Sequence, residues 1–76
     1  MKRNSLAEVE VFMTNVQGYE SADRVLHALT PLFPHCKFNF DLDDCDKILR
    51  AEGTLINTEE VIKCLNKYGF WGKILE

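Results

Sequence analysis

The sequence predicts an α+β two-layer sandwich. Two observations carry this. Its apolar residues switch between a period of two and a period near 3.6 in the order strand, helix, strand, strand, helix, strand. Its two middle strands are separated only by a short polar connection, as in an antiparallel hairpin. With 76 residues, the chain has room for one domain, 1–76. Residues 1–6 read as a flexible N-terminal tail ahead of it.

The elements follow in order. Residues 6–14, LAEVEVFMT, alternate, with Val9, Val11 and Met13 on one face and Glu8, Glu10 and Phe12 on the other. The Val-Val-Met face is expected to meet the core. Over 21–33, Ala22, Val25, Leu26, Leu29 and Phe33 form a helical stripe, with Ser21 as N-cap and Asp23 in the first turn. Pro31 is expected to end this helix near Leu29 or Thr30 by clashing with the His27 carbonyl. Residues 36–42, CKFNFDL, alternate again, with Cys36, Phe38, Phe40 and Leu42 inward. A DDCD turn at 43–46 leads into a third strand, 47–52. The second helix spans 57–68, where Asn57 and Glu60 make a capping-box-like start and Gly69 suits the left-handed C-terminal cap. Residues 70–76, FWGKILE, supply a short last strand. Two split βαβ units in this order predict a ferredoxin-like sandwich: an antiparallel sheet of order 4-1-3-2 with both helices on one face.

Composition narrows the function classes. The net charge of −3 argues against nucleic acid as a partner, because phosphate recognition needs a basic stripe. Glu8 and Glu10 interrupt any apolar leader after Met1-Lys2-Arg3-Asn4-Ser5, and no run approaches membrane-spanning length, so no membrane role is expected. Three cysteines without close pairing fit a reducing, cytoplasmic setting.

Three segments, SADRVLHAL, CKFNFDLDDCDKILRAEG and EEVIKCLNKYGF, resemble the first helix, the hairpin and the second helix with its Gly-aromatic pair of the heavy-metal-associated domain family, over roughly residues 9–75. The resemblance implies the ferredoxin-like fold and a Met-x-Cys-x-x-Cys metal loop between strand 1 and helix 1. With Val25 and Ala28-Leu29 as anchors, the methionine position falls on Val16 and the cysteine positions on Gly18 and Ser21. Neither thiolate is present, and soft ions such as Cu(I) need sulfur ligands. The chain therefore reads as a divergent member that lacks the family's metal chemistry, with no cofactor. Asn15, Val16, Gln17, Gly18, Tyr19 and Ser21 mark a candidate loop at the family's metal position, where Asn15, Gln17 and Tyr19 offer polar contacts.

Other constellations are sparse. Cys36 and Cys64 read as small core residues. Cys45 is the best reactive-thiol candidate, although Asp41, Asp43, Asp44 and Asp46 around it oppose thiolate formation. His27 and the His35-Cys36 pair show no third ligand. DLDDCDKILRAE matches a calcium loop at Asp41, Asp43 and Glu52 but fails it at Cys45 and Asp46. No phosphate loop or Ser-His-Asp spacing is present, and an enzyme is not expected.

The open sheet face carries the strongest signal. The alternation sends Phe12, Ile48, Trp71 and Leu75 outward as a candidate interface stripe, and contiguous exposed apolar residues mark binding surfaces. On this reading, Phe12→Ser or Phe12→Lys leaves the fold intact and abolishes self-association. The leading expectation is a small non-catalytic binding or interaction module using the open sheet face or the 15–21 loop, with a protein partner or a weak homodimer through the open face. The alternative is a metal-handling protein with an altered site drawn from Cys36, Cys45 or a histidine.

Overall fold

Alternation and helical periodicity generate six elements along the chain. The computed structural model describes residues 8–75 as β1 (Glu8–Thr14), α1 (Tyr19–Leu32), β2 (Cys36–Asp41), β3 (Ile48–Gly53), α2 (Thr58–Lys67) and β4 (Gly72–Ile74). The expected tail at 1–6, the first two residues of the strand expected at 6–14, and Glu76 lie outside the described residues. The sheet order is β2-β3-β1-β4, with every neighbouring pair antiparallel. This is the expected 4-1-3-2 order read from the opposite edge. Four antiparallel strands and two helices make an α+β domain compatible with a ferredoxin-like sandwich. Among the described residues, no helix is long and apolar enough to cross a membrane.

One core joins the layers. Val25 and Leu29 of α1, Val61 and Leu65 of α2, and Phe12, Leu49 and Ala51 of the sheet are all fully buried in one cluster. Phe38, Phe40 and Ile74 pack against it, and Phe33 meets Phe38 edge to face with ring centroids 5.6 Å apart. Gly72 lets α2 approach β4 closely: a Cβ there would lie 2.5 Å from Leu65 Cδ1.

The face assigned to β1 from sequence is reversed. Phe12 is wholly buried, whereas Val9 is 47% exposed. Phe12 pairs with Leu49 on one side and Ile74 on the other, and both of those neighbours belong to the core layer. A shift of phase by one residue moves every side chain of a strand to the opposite face. Val9, Val11 and Met13 therefore lie on the uncovered face. Glu10 and Thr14 share the helix side with Phe12, half-buried and buried respectively.

The first helix also departs from expectation at both ends. It starts at Tyr19 with Gly18 as N-cap, and the Ala22 N–H donates to the Gly18 carbonyl at 3.0 Å. Ser21 is thus inside the first turn and is not the cap. Pro31 lies within the helix, which continues to Leu32. The Phe33 N–H still donates to the Leu29 carbonyl at 3.0 Å, so the missing proline donor costs one bond and not the whole turn. The second helix begins as expected, with Asn57 Oδ1 accepting from the Glu60 N–H at 3.1 Å. It ends at Gly69 with φ of +89°, where a Cβ would be strained.

The reversed phase predicts opposite sensitivities at neighbouring positions. Phe12→Ala should cost about 3–5 kcal/mol, whereas Val9→Thr should stay within about 0.5 kcal/mol. Urea denaturation midpoints of the two variants check this.

Candidate functional site

Thr14 organises one end of the sheet. It is 3% exposed, and a buried hydroxyl needs partners. Its Oγ1 donates to the Lys47 carbonyl at 2.6 Å and accepts from the Val16 N–H at 3.1 Å. Its own N–H donates to the Asp46 carbonyl at 3.1 Å. One residue thereby ties the β1–α1 loop to the β2–β3 turn. Next to it, Asn15 Oδ1 accepts from the Trp71 N–H at 2.9 Å and draws in the α2–β4 connection.

These bonds change the meaning of the candidate loop. Val16 is fully buried in the core, Asn15 is occupied in holding Trp71, and Gly18 caps α1. Ser21 is half-buried in the first helical turn. Gln17 and Tyr19 alone of the singled-out polar side chains point to solvent, Tyr19 with 62% exposure. The segment is a structural junction with two free side chains on its outer rim.

The uncovered sheet face is better furnished. Strand register lays it out in rows across β2, β3 and β1: Lys37, Glu52 and Val9; then Asn39, Arg50 and Val11; then Asp41, Ile48 and Met13. On the β4 side, Lys73 pairs with Met13, and the Leu75 N–H donates to the Val11 carbonyl at 2.8 Å. Val9, Val11 and Met13 thus form a continuous apolar line along β1. Ile48 lies beside it on β3, while Leu75 and Trp71 flank it with 39% and 46% exposure. Of the four residues predicted for this stripe, Trp71 and Leu75 are exposed, Ile48 is half-buried on the open face, as are Val11 and Met13, and Phe12 is buried. Sequence reasoning missed the three β1 residues. Their alternation is visible in the sequence, but pattern alone directs them to the core.

The cysteines occupy three different segments. Cys36 is half-buried at the start of β2, and Cys45 is exposed in the β2–β3 turn. Cys64 is buried on α2, and burial pushes its thiol pKa up despite the nearby Lys67 ammonium. It floors an open groove of about 290 Å³ between the helices, together with Ala28, Leu32 and Tyr68. In the turn, donor atoms of Asp44, Cys45 and Asp46 lie within 4.8 Å of one another. Asp44 Oδ1 already accepts from the Asp46 N–H at 2.8 Å, and Lys47 adopts a left-handed φ of 50°. The Lys47 ammonium donates to the Leu42 carbonyl at 2.9 Å. Asp44 thus helps shape the turn.

No protein-family model, curated protein or solved structure matches this chain.

Thr14→Val keeps the shape but leaves the Val16 N–H and the Lys47 carbonyl without their partner, so it should destabilise by about 1–3 kcal/mol in chemical denaturation. A second prediction concerns Cys64. A folded-state pKa raised above the unfolded value near 9.0 gives stability that is complete below that pH. That stability is lost as pH climbs through the raised value. Urea midpoints on either side of pH 9.0 should show an alkaline loss in the wild type that is smaller in Cys64→Ala.

Proposed function

We propose that this chain is a non-catalytic interaction module that presents the open face of its sheet to a protein partner. The observation that carries the reading is the line of Val9, Val11 and Met13, widened by Ile48, Leu75 and Trp71, on the face neither helix covers. Apolar area in a continuous block gains free energy when a partner removes it from water. Charged residues border the line on β2, β3 and β4, which gives the apolar centre and polar rim of a binding surface. The element order and strand order support a scaffold like that of the heavy-metal-associated family. The occupied, sulfur-free β1–α1 loop supports the loss of that family's metal chemistry.

The test is comparative capture. Wild-type protein and Val11→Asp serve as baits, and any captured protein is purified and titrated against both. The wild type should retain a partner that Val11→Asp loses while keeping its circular dichroism. Identical binding by both baits would refute the role of this face.

The second reading keeps metal handling through an altered site, and the grouping of Asp44, Cys45 and Asp46 favours it. Zn(II) or Cu(I) titration of the reduced protein decides it: stoichiometric binding lost in Cys45→Ser supports this reading, and the absence of such binding removes it.

A further inference from the structure

We propose that the outer edge of β2 pairs with the same edge of a second copy of this chain, antiparallel and centred on Asn39, so that the two four-stranded sheets join into one. This surface is separate from the open face. Successive residues of an antiparallel strand bond alternately to one neighbour and to the other. The Val11 carbonyl accepts from the Leu75 N–H, so Val11 bonds on the β4 side and Glu10 and Phe12 bond to β3. Their partners Ala51 and Leu49 are thereby engaged with β1, which leaves Ile48, Arg50 and Glu52 to bond β2. Register then assigns the backbone groups of Lys37, Asn39 and Asp41 to β3 and turns those of Phe38 and Phe40 outward. The Cys36 N–H has the same parity as Phe38, and it donates to the Phe33 carbonyl at 3.0 Å rather than to β3. β2 ends the sheet, and among the described residues nothing takes up the outward groups of Phe38 and Phe40.

An unpaired edge is a template for another strand, and folds blunt it by shortness, a proline, a bulge or an inward charge. β4, at the opposite edge, has only three residues. β2 has six, without proline, and its inward side chains are Cys36, Phe38 and Phe40. The strand also supplies its own complement. Outward-bonding residues must face one another across a two-fold ladder, so the axis that overlaps most of β2 falls on Asn39 or on Phe38. About Asn39, Lys37 of each copy lies directly opposite Asp41 of the other, and Phe38 exchanges both backbone bonds with Phe40 of the second copy. Opposite charges directly across a ladder stabilise it. About Phe38, Lys37 faces Asn39 and Asp41 overhangs the end of the facing strand, so both lose their counter-charge. Any partner strand here needs an anion opposite Lys37 and a cation opposite Asp41, with apolar residues on the helix side; β2 reversed meets that description. The axis is normal to the sheet, which keeps the two helix layers on one side and the two open faces on the other.

Sedimentation equilibrium and amide hydrogen exchange over a concentration series reaching millimolar test the proposal. The wild type should move from monomer to dimer mass, and exchange at the Phe38 and Phe40 amides should slow in step. The Lys37, Asn39 and Asp41 amides, bonded to β3, should stay protected at every concentration. Asp41→Lys sets like charges opposite each other and should weaken association at least about fivefold. The double variant Lys37→Asp/Asp41→Lys restores opposite signs and should recover dimerisation. Both side chains are exposed, and the wild-type amide readout decides the matter if either variant loses its circular dichroism. A wild type that stays monomeric overturns the proposal. So does a dimer whose Phe38 and Phe40 amides exchange as fast as in the monomer, because its contact lies elsewhere. A dimer indifferent to Asp41→Lys, or one that a folded double variant does not rescue, overturns it as well. Each of these outcomes leaves the open-face reading to its own test with Val11→Asp.

Discussion

Phe12 fills the middle of the core between Leu49 and Ile74, and that placement determines what every other residue of β1 does. A strand alternates its side chains, so seating Phe12 under the helices sends Val9, Val11 and Met13 to the opposite side. Burying the ring removes a large apolar surface from water, and register places it between Leu49 and Ile74 of the core layer. Ala51, small and fully buried, lies on the neighbouring strand in the same core cluster. The core and the apolar line on the open face are therefore two consequences of one packing decision.

Thr14 makes that decision coherent at the loop end. The same alternation that buries Phe12 also buries Thr14, which would be costly for an unpartnered hydroxyl. Its bonds to Lys47 and Val16 satisfy the group and lock the β2–β3 turn onto the β1–α1 loop. Asn15 extends the lock to Trp71. The segment that separates β1 from α1 is consequently committed to holding loops together, which leaves little of its polar chemistry for a ligand.

Much of the architecture was legible in the sequence. The order of elements, the Asn57 cap and the Gly69 stop follow from periodicity and local conformational preference, and the strand order from the handedness of split βαβ crossovers. The phase of β1 was not, because both of its faces carry apolar residues and counting them favours the wrong one. The Phe12–Leu49 pairing that settles it is a long-range fact. The α1 boundaries were missed for local reasons: Gly18 caps through its backbone alone, and one bond beyond Pro31 holds the last turn. For the predicted stripe, the alternation correctly directs Ile48, Trp71 and Leu75 to the open face, where Trp71 and Leu75 are exposed and Ile48 is half-buried. The engagement of Asn15 and the burial of Val16 depend on partners far away in the chain.

The phase of β1 is open to direct observation in a nuclear Overhauser spectrum of the isotope-labelled protein. The account predicts cross-peaks from the Phe12 ring to core methyl groups of both helices, with the Met13 methyl connected to Ile48 across the open face. Met13 in contact with the helix methyls, with Phe12 beside the Ile48 side chain, would contradict it.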